Sequence, residues 1–174
     1  DALLVGAVDE LSAPALAGYQ KLGAGALVLG EGAGMLLVER EDDAKKRGAR
    51  VRAWVAGRGE RGDDRARVGW GHADQWPEAA RAVSEAARGR DIDLLMSGAN
   101  GTGYDAREAA AVHAGLGSAP RSAAIVPQIG ESFSSAVQRL VAAVHALESG
   151  GAVRVLVPAF AQGGANVAVV LERA

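Results

Sequence analysis

The sequence predicts an α/β layer fold built on a mostly parallel sheet, and three observations carry that expectation. From Val51 onward the segments run strand, helix, strand, helix, strand, helix, strand, strand, the alternation that packs helices on a parallel sheet. Val153–Leu171, VRVLVPAFAQGGANVAVVL, holds two near-continuous apolar strands, Val153–Ala159 and Asn166–Leu171, joined by a glycine-containing bend. Such runs suit strands covered on both faces, so this hairpin should be central and should add one antiparallel strand. Finally, 174 residues with 49% hydrophobic and 23% charged content can bury one sizeable core.

Ala2–Val8 reads as a buried strand, and Ser12 followed by Pro14 starts a short helix or turn through Tyr19. Leu27–Glu39 is a Gly-rich bend leading into a strand over Gly34–Glu39, and a charged helix over Asp42–Arg47 stops at Gly48. The glycine string does not suit a dinucleotide, because that fingerprint needs a helix after the glycines and Met35–Val38 is a strand. Val51–Gly57 is a further strand, and the polar stretch Arg58–Asp74 reads as a surface excursion. A helix from Pro77 to Arg88, with Ala80, Val83 and Ala87 on one side, precedes a strand at Ile92–Ser97. The next helix covers Asp105–Ala114, with Asp105 and Glu108 in its first turn, where carboxylates favour the positive end of the dipole. Ala123–Val126 is a short strand stopped by Pro127. In the helix Phe133–Leu147 the apolar face is Phe133, Val137, Leu140, Val141, Val144 and Leu147, while Gln138, Arg139 and His145 form the other face. Gly150 and Gly151 end it.

Composition narrows the functional classes. With 19 Lys+Arg against 21 Asp+Glu, a net charge of −2 recommends neither nucleic acid nor an anionic membrane as partner. The three tryptophans are too scattered for a base-stacking platform. Apolar runs stop well short of the ~20 residues of a spanning helix, and no signal peptide is visible, so a cytoplasmic protein is expected. Zero cysteines remove disulfides, thiolate metal sites and a Cys nucleophile from these residues. His72, His113 and His145 have no carboxylate spacing that suggests a metal, and no metal or other cofactor is expected. The chain opens at Asp1 directly on a strand, which suggests a piece of something longer.

Ligands of open α/β sheets gather at the carboxyl ends of the strands. Three strand ends carry unusual polar, Gly-rich sequence: Ser97–Glu108, Pro127–Ser132 and Ala159–Asn166. These should meet in space.

The block LVLGEGAGMLLVEREDDAKKRGARVRAWVAG at Leu27–Gly57 closely resembles the matching block of β-ketoacyl-acyl carrier protein synthases, which have the thiolase fold, and the order of the three strand-end motifs fits the same family. The resemblance implies a layered α-β-α-β-α arrangement in which residues 1–49 end the first half and residues 50–174 form the second. Family enzymes condense an acyl thioester with a malonyl thioester through a Cys nucleophile and two histidines, since a thiolate attacks readily and imidazole N–H groups donate to developing negative charge. The nucleophile precedes the region where this chain begins. Asn100-Gly101-Thr102 stands where an HGT motif opens on the first His, and Asn cannot titrate near neutral pH. Glu131 stands at the second His, and Val126 at its supporting Lys. A carboxylate there would repel an enolate or oxyanion. Asp105 and Glu108 match the acidic pair after HGT, across a loop shorter than the family pattern. In the last motif Phe160, Gly163 and Gly164 survive, and Gln162 replaces a phenylalanine that gates the acyl pocket.

The resemblance therefore implies scaffold without catalyst: no catalytic residues, and Phe160, Gln162, Gly163 and Gly164 as acyl-pocket candidates. The implied function is that of a chain-length-factor-type subunit that pairs as a heterodimer with an active ketosynthase, works with acyl carrier protein in fatty acid or polyketide biosynthesis, and shapes the acyl tunnel. Two other readings stay open, a scaffolding protein that binds acyl carrier protein or another partner without acyl recognition, and a diverged acyltransferase that uses other residues.

Overall fold

In the computed structural model, residues 1–21, 27–63, 76–161 and 163–174 are described. Five strands form the larger sheet: β3 (Ala53–Gly62), β4 (Leu94–Ser97), β5 (Arg121–Ala124), β6 (Arg154–Phe160) and β7 (Ala165–Arg173). Their order is β3-β7-β6-β4-β5. Pairs β4–β5 and β4–β6 are parallel, whereas β7 is antiparallel to both β6 and β3. Four strands thus run one way and β7 alone runs against them, so the closing hairpin sits in the middle of the sheet as its apolar runs predict.

Side chains along β6 and β7 alternate between two cores, as a two-residue period requires. Leu156, Phe160, Ala168 and Val170 face α3 (Pro77–Ala87) and α4 (Tyr104–Leu116), packing with Ala79, Ala82, Val83, Ala86, Tyr104, Ala111 and Val112. Val155, Val157 and Leu171 face α6 (Ser135–Glu148) and meet Ala143 and Leu147. Both faces of the sheet are covered by helices.

The strand β3 runs on to Gly62, so the first residues of the expected surface excursion are sheet. Its glycines explain both the extension and the misreading. A methyl group on Gly57 or Gly59 would lie 1.9 or 2.0 Å from the carbonyl oxygens of Ala86 and Ala82, so α3 rests directly on strand backbone there. Alternating glycine and charged residues hide that contact from a hydrophobicity pattern. Residues 64–74 of the excursion, with His72 and Trp70, lie outside the described residues.

A second sheet pairs β1 (Ala2–Asp9) antiparallel with β2 (Gly32–Glu39). Between them lies α1 (Ala13–Lys21), whose Ala15 N–H reaches the Ser12 hydroxyl at 3.4 Å, and after β2 comes α2 (Glu41–Lys46). A methyl on Gly34 would lie 3.0 Å from Val137 of α6, and Ser134 donates to the Gly32 carbonyl at 3.0 Å. Four layers follow in sequence: the β1–β2 sheet, α6, the five-stranded sheet, and α3 with α4.

The structure corrects four expectations. The strand β1 is not buried, with Leu4 at 70% and Val8 at 76% exposure, because among the described residues it pairs only with β2 and nothing covers it. Phe133 does not begin the apolar face of the long helix; α6 starts at Ser135 and Phe133 is 82% exposed. Arg139 does not face solvent. It is buried at 4% exposure, because α6 is covered on two sides and its buried stripe is Ser135, Arg139, Ala143 and Leu147 at four-residue spacing. Val126 likewise opens a short helix, α5 (Val126–Ile129), with Pro127 in its first turn, rather than closing β5.

Candidate functional site

Chain ends of β4 and β6, the N-terminus of α4 and the turn after α5 converge on one cavity of about 680 Å³. Its wall includes Asn100, Thr102, Tyr104, Glu131, Ser135, Arg139 and Phe160, together with Leu11, Leu27 and Leu29. The three polar strand-end motifs do meet in space, as their positions predict.

The α4 end is fixed by carboxylates that accept backbone donors. Asp105 accepts from the N–H groups of Asn100 at 2.9 Å and Gly101 at 3.1 Å, which turns the chain after β4 back into the helix. Glu108, 1% exposed, is held by three donors: the Ser97 hydroxyl, the Gly98 N–H at 2.9 Å and the Tyr104 hydroxyl at 3.0 Å. Burial, and next the Glu108 charge, push the Tyr104 phenol well above its ordinary pKa, so its hydroxyl remains a donor. Asp105 stands in the first turn of α4 as expected, but the helix starts at Tyr104, so Glu108 lies beyond the first turn and serves the local architecture instead.

Glu131 is placed from below by the Gly-rich block. Gly30 N–H donates to the Glu131 carbonyl at 2.9 Å and Glu131 N–H donates to Val28 at 2.8 Å, a parallel bridge centred on Leu29. A methyl on Gly30 would lie 2.0 Å from the Ile129 carbonyl, so only glycine lets the two backbones pass. The glycine string here lets two backbone segments of the same chain approach closely.

Held in this way, the Glu131 carboxylate accepts from Asn100 Nδ2 at 3.0 Å and from the Ser135 hydroxyl at 2.8 Å. The Asn100 carbonyl in turn accepts from Thr102 N–H at 3.2 Å and Thr102 Oγ1 at 2.7 Å. Asn100 and Glu131 therefore complete each other's hydrogen bonding. Glu131 presents acceptors only, so this end of the cavity offers poor stabilisation to a developing oxyanion.

Phe160 lines the cavity at 5% exposure, and its ring meets Trp76 edge-on at 5.8 Å. Trp76 also lies 5.8 Å from Tyr104, with the Arg107 guanidinium 5.9 Å above it. Gln162 lies outside the described residues. Gly163 and Gly164 do not line the cavity: they turn β6 into β7 with φ of 95° and 92°, and a methyl on Gly164 would lie 2.0 Å from the Asp63 carbonyl beyond β3. Val126 is buried at 2% below the turn and is not part of the cavity wall. His113 and His145 are exposed on helices, and among the described residues no cluster of His, Cys, Asp or Glu could hold a metal ion. Among the described residues no helix is long and apolar enough to cross a membrane.

Sequence reasoning missed Arg139 and Tyr104 as site residues. The available signal was Arg139's place four residues before Ala143 and eight before Leu147, on the stripe that the sheet buries.

No protein-family model and no curated protein matches the chain, but solved structures do. It is similar to the ishigamide ketosynthase/chain length factor at a TM-score of 0.86 and 22% identity, over 100% of this chain and 54% of that one. A β-ketoacyl synthase from Burkholderia phymatum matches at 0.83 and 20% identity, over 99% of this chain and 55% of that one. A type II polyketide synthase acyl-carrier protein in complex with its ketosynthase bound to the hexaketide matches at 0.85 and 16% identity, covering 100% and 56%. The chain thus has the thiolase-like fold of the ketosynthases and spans about half the length of these structures.

Proposed function

We propose, from the ketosynthase fold just established, that this chain is a non-catalytic, chain-length-factor-type portion of a ketosynthase-like subunit. It partners an active β-ketoacyl synthase and acyl carrier protein in polyketide or fatty acid assembly, and its cavity forms part of the acyl tunnel. The observation that carries this reading is the hydrogen bond between Asn100 and Glu131 at the positions that resemble the two family histidines. A carboxylate and an amide that satisfy each other leave no imidazole donor for the thioester oxygen, and the 174 residues contain no cysteine to carry an acyl group. The chain-length-factor and acyl-carrier-protein structures of the same fold support the choice of partners.

The test is co-expression of the full-length polypeptide with the ketosynthase of its own assembly line, followed by acyl-thioester loading. A stable complex in which only the partner becomes acylated is the expected result. Condensation by the polypeptide without a partner overturns the reading. A complex that forms, but whose product lengths ignore substitutions in the cavity wall, favours the scaffolding alternative.

A further inference from the structure

Phe133 is an aromatic side chain for which the folded core has no place. It precedes α6 instead of opening its apolar face, it belongs to neither hydrophobic core, and at 82% it is the most exposed large hydrophobic among the described residues. Yet it lines the cavity. A lining residue that stands in solvent marks where a cavity opens, and among the described residues the other exposed lining positions are Glu10, Gly103 and Ala161, none of them a large apolar side chain. The main chain at Phe133 is held firmly. Its N–H donates to the Asp9 carboxylate at 2.8 Å, the flanking Ser132 and Ser134 hydroxyls share a hydrogen bond at 2.9 Å, and the buried Ser134 also donates to the Gly32 carbonyl at 3.0 Å. Rotation of the ring about its own side-chain bonds is the freedom that remains.

From this combination of a fixed backbone and a free ring we infer that Phe133 closes the cavity over its occupant, folding down onto an apolar chain that has entered the mouth. The inference rests on the reading of the cavity as an acyl site and deepens it by naming the residue that retains the chain, a position absent from the pocket candidates Phe160, Gln162, Gly163 and Gly164. An exposed phenyl ring gains only by meeting apolar surface. Leu11, Leu27 and Leu29 of the cavity wall are each half-buried, and a chain lying on them extends that surface towards the ring. Closure then costs the rotamer freedom of one side chain and moves no helix or strand. Because the ring settles after the chain has entered, it slows departure and leaves arrival unchanged. Val28 is a natural comparison: it is 68% exposed and its carbonyl accepts from the Glu131 N–H, but it does not line the cavity.

Decanoyl-pantetheine is mixed by stopped flow with the full-length polypeptide and with its Phe133→Ala, Phe133→Leu and Val28→Ala variants. Tryptophan fluorescence is the signal, since Trp76 packs edge-on against Phe160 of the cavity wall. Phe133→Ala is expected to release the probe about tenfold faster at an unchanged association rate, the equivalent of burying a good part of one phenyl ring. Phe133→Leu should fall between that variant and wild type, and Val28→Ala should match wild type. An unaltered dissociation rate in Phe133→Ala, or a loss of affinity carried by the association rate, overturns the inference while leaving the acyl cavity intact. Failure of the wild-type protein to bind the probe overturns the acyl-cavity reading and the inference with it. The melting temperature of Phe133→Ala should equal that of wild type, because the side chain packs in neither core. Should that variant not fold, as judged by circular dichroism, Phe133→Leu decides by the same two rates.

Discussion

Asn100 Nδ2 and Glu131 Oε2, from segments 31 residues apart, meet at 3.0 Å in the wall of the cavity. The two side chains most open to a catalytic reading are instead each other's partners. Glu131 also anchors Ser135, and Asn100 also anchors Thr102, so the pair fastens the α4 entry to the α6 entry.

Histidine at both positions, Asn100→His with Glu131→His, should therefore give no condensation of acyl and malonyl thioesters by the polypeptide alone. Oxyanion stabilisation cannot replace the covalent step, and these residues hold no cysteine. The same change breaks the carboxylate contacts to Ser135 and Asn100, which should lower unfolding free energy by about 1–3 kcal/mol in urea titration. Turnover by the double variant free of any ketosynthase would contradict the proposal.

Glu108 should be the most sensitive polar residue of the chain. Glu108→Ala leaves the Ser97 hydroxyl, the Gly98 N–H and the Tyr104 hydroxyl without their buried acceptor. The expected loss is about 3 kcal/mol or more. Tyr104→Phe removes one of the three bonds and should cost only about 1 kcal/mol by the same measurement. Similar losses for the two variants would show that Glu108 is not the hub of this network.

Much of the fold and part of the site were legible in the sequence, for physical reasons that differ from residue to residue. The central hairpin was readable because Val155, Leu156, Val157 and Val170 are apolar on both faces, the mark of a strand between helix layers. The meeting of the stretches Ser97–Glu108, Pro127–Ser132 and Ala159–Asn166 followed from strand-end placement alone, whereas the Asn100–Glu131 hydrogen bond inside it did not. Arg139 was not readable, because an arginine in an amphipathic pattern is assigned to solvent unless the second layer over the helix is known. The extension of β3 failed for the converse reason. Gly57 and Gly59 are there to bring α3 onto the backbone, and they carry no hydrophobic signal of their own.

That contact yields a third prediction, in which one substitution type has opposite signs at two places. Gly59→Ala puts a methyl 2.0 Å from the Ala82 carbonyl, with rigid backbone on both sides, and should destabilise by on the order of 3 kcal/mol. Gly18→Ala lies in α1 with nothing within 4 Å and should stabilise by about 0.5–1 kcal/mol through helix propensity. Thermal melts of the pair check the claim, and equal effects would mean that α3 does not rest on β3 as described.

The last prediction concerns the β1–β2 sheet. Leu3, Leu4, Val5 and Val8 of β1, with Met35 and Leu37 of β2, are 42–76% exposed. Because neighbours in a strand point to opposite faces, Leu3 and Leu4 expose both sides of the ribbon, and β1 pairs only with β2 among the described residues. A two-stranded sheet is marginal by itself, and an apolar edge is a template for association. The 174-residue chain expressed alone should therefore scatter light in a concentration-dependent way and melt broadly at low temperature. Leu4→Lys with Val8→Lys should suppress the association without lowering the melting temperature, since both side chains already face solvent in this structure. A cooperative, monomeric melt of the unmodified chain at high temperature would show that the exposed strands need no cover. The Lys variants separate two causes: if they cure scattering yet the melt stays broad, the weakness lies in the missing strand contacts of β1, and if both are cured, it lies in the apolar surface alone.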